Sequence, residues 1–156
     1  MKKLEALKLN SILETIKKLG STKFKYNVLL NIAVLNPIIT PINQIENDNK
    51  ALLSEFETDR NSLIIKIGKK GEGDTVSIDI TDEDMLKTFN EGLKEIAEEH
   101  KESLEKYEVE YKQYIEILQQ EVEDKIEFKT ISIDICPENG IDDEQLEVLL
   151  KHKVIN

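Results

Sequence analysis

Few residues in this chain are equipped for covalent chemistry. Cys136 is the only thiol, and His100 and His152 are the only imidazoles. A thiol nucleophile needs a base beside it and a third group to orient that base. No activating motif surrounds Cys136, whose pattern is that of a small apolar residue at a strand end. His100 falls on an apolar stripe, where packing accounts for an imidazole more often than acid–base work does. His152 lies between Lys151 and Lys153, a setting suited to solvent.

Asp79, Asp82 and Asp84 form the one tight acidic cluster beside a loop. A calcium loop of the EF-hand type wants glycine at its sixth position and a bidentate acid at its twelfth, which here are Asp84 and Asn90. The pattern fails, and capping of the helix that follows explains the acids. The glycines of Lys69-Lys-Gly-Glu-Gly-Asp74 lack the spacing, and the following helix, of a phosphate-binding loop. No catalytic residue, metal or cofactor is expected, and the chain reads as a non-enzyme.

What remains is a surface. Tyr107, Tyr111 and Tyr114 follow one another at spacings of four and three, on the helical stripe that also carries His100. Exposed tyrosines at that spacing suit a protein partner, and these four residues are the candidate partner-binding set. Base stacking is the other use of such a patch, but Glu105, Glu108, Glu110 and Glu116 surround it and repel a phosphate backbone. Packing against the helix expected over 24–56 is the commoner explanation of an aromatic stripe.

Charge narrows the partners further. The 156 residues carry a net charge of −11, which disfavours direct contact with nucleic acid or an anionic membrane. Residues 1–30 hold seven lysines against two glutamates, whereas residues 82–124 hold fifteen acids against five lysines. Such segments attract each other, within a chain or between copies, or stand as separately solvated faces. No apolar run near eighteen residues is evident, no signal region follows Lys2 and Lys3, and one cysteine allows no internal disulfide. A single soluble domain in a reducing cytoplasm is expected.

The elements that would position the tyrosines follow from periodicity. A brief strand at Leu7 and Leu9 and a short helix over 12–19, capped by Ser11 and closed by Gly20, make up residues 1–20. Apolar positions then recur at an average of about 3.6 from Phe24 through Val28, Ile32, Leu35, Ile39 and Ile42 to Phe56. This predicts a helix over 22–57, kinked or broken at Pro37 and Pro41. Leu63, Ile65 and Ile67, then Val76, Ile78 and Ile80, alternate with polar residues and predict a β-hairpin over 62–80. Thr81 caps a long helix over 82–123, with Gly92 its weakest point. Ile131, Ile133 and Ile135 predict a strand, and a short helix completes 130–151. Thr75-Val-Ser-Ile-Asp-Ile80 echoes Thr130-Ile-Ser-Ile-Asp-Ile135, which similar half-buried environments explain better than duplication. The expected fold is α+β and mostly helical: an antiparallel long-helix hairpin with a β-hairpin at one end and short N- and C-terminal strands. Strand 131–135 would pair near Leu7 and Leu9, and the open hairpin edges would favour a homo-oligomer.

The order of these elements, with Leu13-x-x-Ile16-x-x-Leu19, Lys23-Phe-Lys-Tyr26, Leu35-Asn-Pro37, Asn49-Lys-Ala-Leu-Leu53 and Ile131-Ser-Ile-Asp-Ile135, resembles an uncharacterised family of small proteins from tailed phages of Gram-positive bacteria. The likeness implies phage origin and a place among late, tail-to-lysis genes; the long hydrophilic helix over 82–123 departs from the pattern. Three functions fit. The first is a phage accessory protein in the host cytoplasm or virion, which contacts a virion protein or occupies a host protein. The second is a holdase chaperone, by analogy with the helix, β-hairpin, helix layout of prefoldin subunits. The third is an acidic DNA mimic that blocks a nucleic-acid-binding enzyme.

Overall fold

The computed structural model describes residues 1–71, 73, 75–123 and 125–156. Glu72 and Asp74 of the expected hairpin loop, and Asp124 at the end of the acidic run, lie outside the described residues. The chain is α+β and mostly helical, with one small two-stranded antiparallel sheet. In order come α1 (Lys3–Ile16), α2 (Thr22–Leu52), α3 (Ser54–Ile67), β1 (Lys69–Lys70), β2 (Val76–Ser77), α4 (Glu83–Glu99), α5 (Lys101–Gln119), a 3-10 turn (Ile133–Ile135) and α6 (Asp143–Lys151). These residues form two compact units, Met1–Ile45 with Ile115–Asn156, and Glu46–Tyr114.

The first unit holds the main apolar core. Ala6, Leu9, Leu13 and Ile16 recur at helical spacing on α1 and are fully buried. They meet Phe24, Val28, Ile32 and Leu35 on the inward stripe of α2, and Ile131, Leu149, Val154 and Ile155 from the C-terminal segment. The strand expected at Leu7 and Leu9 is therefore helical, because the period of 3.6 over fourteen residues outweighs a two-residue alternation. The N-terminal pairing that does occur is a single antiparallel bridge, Lys2 to Glu121.

α2 runs through Pro37 and Pro41 without a break. The interruption comes instead at Leu53, whose N–H donates to the Lys50 carbonyl at 3.1 Å in a tighter turn before α3 starts. Asn31, with no exposed surface, clamps the chain after α5 onto α2: its Nδ2 donates to the Lys129 carbonyl (2.9 Å) and its Oδ1 accepts from the Lys129 N–H (2.6 Å). Ile131 pairs with Ile155 in a parallel bridge rather than with α1, and the chain then tightens into the 3-10 turn, so the strand expected over 131–135 is one residue long. The helix after it, α6, opens with a capping box, Asp142 Oδ1 accepting from Gln145 N at 2.8 Å.

By length and composition alone α2 could cross a membrane, contrary to the reading that no such run exists. A third of that apolar window is buried inside the molecule, and the fully buried Asn31 is among those residues. A core helix passes the same test.

α6 is tied back to α1 by Lys151 Nζ, which donates to Glu5 Oε1 at 2.7 Å. That bond, with a second from the Lys2 N–H, holds the Glu5 carboxyl down at about 2. His152 caps the far end of α6, and burial lowers its pKa. The folded state therefore binds the proton less readily than the unfolded chain, so stability present at neutral pH is lost as pH falls below the ordinary histidine value. Thermal melts at pH 7.5 and 5.5 should show a drop in midpoint that His152→Gln reduces; an identical drop in that variant would contradict this role.

In the second unit Leu63, Ile64 and Ile67 lie in α3, not in a strand. Glu55 and Glu57 in its first turn and Lys66 in its last suit a helix dipole, and Gly68 closes it with its N–H on the Ile64 carbonyl at 2.8 Å. The expected hairpin of 62–80 shrinks to β1 and β2, in the register Lys69 to Ser77 and Lys70 to Val76. α3 packs on α4, and Gly92 is where they approach: a Cβ there would stand 2.9 Å from Leu63 Cδ1. The long helix expected over 82–123 is two helices, divided at His100. Its cap is Asp82 rather than Thr81, with Oδ1 accepting from Met85 N at 3.1 Å.

Candidate functional site

The three tyrosines come together in the second unit. The Tyr107 and Tyr111 rings stack with centroids 5.5 Å apart and planes at 22°, and Tyr111 meets Tyr114 at 6.2 Å and 38°. Spacings of four and three on α5 place successive rings one turn apart on a single face, so the contact is a direct result of helix geometry. Across from them Glu46, Asn49 and Lys50 project from the end of α2, and the six residues enclose a pocket of about 160 Å³.

Tyr114 anchors this face. It is only 8% exposed, and its hydroxyl stands 3.5 Å from Glu46 Oε2. Burial, then the Glu46 charge beside it, raises its pKa, so it stays a neutral donor. Tyr111 is 44% exposed and offers its ring to whatever approaches. Packing against α2 thus explains Tyr114 but not Tyr111. Glu46 Oε1 also accepts from Lys50 Nζ at 2.5 Å. Asn49 is nearly buried, and its Nδ2 has no hydrogen-bond partner. An unpaired buried amide costs roughly 1–3 kcal/mol, which makes Asn49 an unusual occupant of a pocket wall.

His100 is not part of this group. Its Nε2 lies 2.7 Å from Asp59 Oδ2, and its ring meets Phe56 edge-on at 6.2 Å. Its N–H bonds to the Ile96 carbonyl and its carbonyl accepts from Leu104, so it joins α4 to α5 while holding α3. The imidazole serves packing and the helix junction.

The other candidates resolve into structure as well. Lys69 Nζ bridges Asp79 (3.2 Å) and Asp82 (3.0 Å), while Asp79 accepts from the Thr81 hydroxyl and N–H. Those Thr81 bonds, then Lys69, hold the Asp79 carboxyl at about 2. Asp79 and Asp82 are thus committed to the turn between β2 and α4, and no group of three or more metal-binding side chains gathers among the described residues. Cys136 packs against the core, and burial raises its thiol pKa, away from the thiolate a nucleophile requires.

Glu46, Asn49 and Lys50 escaped the sequence reading. The one available signal was Asn49, a polar residue standing where the apolar stripe of α2 should continue. No family model, curated protein or solved structure matches the chain.

Proposed function

We propose that this chain is a non-enzymatic accessory protein of a tailed phage that works in the host cytoplasm through protein–protein contacts, in virion assembly or by occupying a host protein. The observation that carries the contact role is the tyrosine pocket: a half-exposed aromatic ring beside an anchored one, with a buried unpaired amide in the wall. Aromatic residues around a small pocket are the usual energetic centre of an interface. The phage origin rests on the pattern of Leu13, Ile16, Leu19, Lys23 to Tyr26 and Ile131 to Ile135. Neither nucleic acid nor an anionic membrane suits the net charge of −11. The chaperone alternative has weaker support, since the first strand of the expected hairpin, Leu63 to Ile67, is helical. The DNA-mimic alternative keeps the acidic surface as its support. Affinity capture from infected host lysate, read by mass spectrometry, separates these: one virion or host protein supports the contact reading, many unfolded clients support a chaperone, and a nucleic-acid enzyme alone supports a mimic.

Self-association stands on a different surface from the one first expected. Strands of two residues leave little open edge. The outward side of α2 instead exposes Tyr26 and Leu29 one turn apart, with Val34 farther round the helix, apolar surface that a second copy could cover. Light scattering should show concentration-dependent dimerisation that Leu29→Lys abolishes. A monomer up to the solubility limit would remove self-association from the account.

A further inference from the structure

We propose that the tyrosine pocket receives one basic side chain, a lysine or arginine, carried by the protein partner. This deepens the contact reading above and rests on it. Size is the first argument. About 160 Å³ is below the 300–1,000 Å³ typical of small-molecule sites, and suits the head and stem of a single anchoring side chain.

Electrostatics chooses the kind of side chain. Tyr107 and Tyr111 stack on each other, which leaves each ring one face not covered by the other, and an aromatic face attracts ammonium and guanidinium groups through its quadrupole. Glu46 adds a full negative charge at the wall. The unit Glu46–Tyr114 contains nineteen acids and ten bases, a net of −9, so the surrounding field draws cations and repels anions. The site already holds an internal stand-in: Lys50 Nζ sits on Glu46 at 2.5 Å, and the Lys50 side chain is 68% exposed. An exposed pair of this kind is worth about 0–1 kcal/mol, so an incoming cation displaces it readily.

The test is an NMR titration of the full chain, following tyrosine ring signals. The probes are N-acetyl-lysine-N-methylamide, its arginine counterpart, the uncharged norleucine analogue and N-acetylglucosamine. The basic probes should shift the Tyr107, Tyr111 and Tyr114 signals saturably, and norleucine and the sugar should not. Lys50→Ala, which frees Glu46, should tighten binding about twofold to fivefold, whereas Glu46→Gln should weaken it by a similar factor. A merely apolar pocket responds to neither change. Equal binding of norleucine, indifference to both variants, or a response to the sugar alone would overturn the proposal. Silent basic probes together with partner capture that still depends on Tyr111 would sink this inference alone. Saturable basic probes with capture indifferent to Tyr111 would sink the contact reading and leave the pocket's cation chemistry standing.

Discussion

Replacing Phe24 by alanine should cost about 3–5 kcal/mol, the largest single loss expected anywhere in the chain. The ring has no exposed surface and lies where the stripes of α1 and α2 meet. Its seat is tight: a Cβ on Gly20, which holds φ at +66°, would stand 3.2 Å from Phe24 Cδ1. Little can collapse into the space the ring leaves, so the cavity cost adds to the lost transfer energy. For a chain of this length the midpoint should fall by roughly 10 °C or more. Phe56 is the comparison, because it lies half-buried against His100 in the second unit, where α3 and α4 contain no fully buried side chain. Phe56→Ala should cost well under half as much. Equal midpoint shifts for the two variants would contradict the placing of the main core in the first unit.

Long-range periodicity was the dependable signal, and short alternation misled. The inward stripe of α2 from Phe24 to Ile42 is buried as its period requires. Leu7 with Leu9, and Leu63 with Ile65 and Ile67, also satisfy a period of two over windows too short to exclude a helix. Ile65, at 69% exposed, shows that its alternation had no buried face behind it. Pro37 and Pro41 looked like breaks, yet flanking turns of α2 carry the helix through each missing donor. Ile131 found its partner at Ile155 through a terminal segment with no strand signature of its own. At the candidate site the tyrosines were legible because one helix fixes their spacing. Glu46, Asn49 and Lys50 come from another helix, and no spacing along the chain reports which faces of α2 and α5 meet.

The account centres on Tyr111 as a contact residue rather than a structural one, and the second large effect expected follows from that. Tyr111 is 44% exposed, so removing its ring leaves no sealed cavity, and Tyr111→Ser should lower stability by less than about 1 kcal/mol. Tyr114, at 8% exposed, should behave in the opposite way, losing stability on truncation to alanine. An aromatic anchor at the centre of an interface typically contributes 2 kcal/mol or more, which is about thirtyfold in affinity. The decisive measurement is therefore the dissociation constant of the captured partner for the wild-type chain and for Tyr111→Ser, each shown to be folded by its melting curve. A rise of at least tenfold with an unchanged midpoint is the expected result. An unchanged dissociation constant, with or without a loss of stability, would contradict the assignment of this face to partner binding.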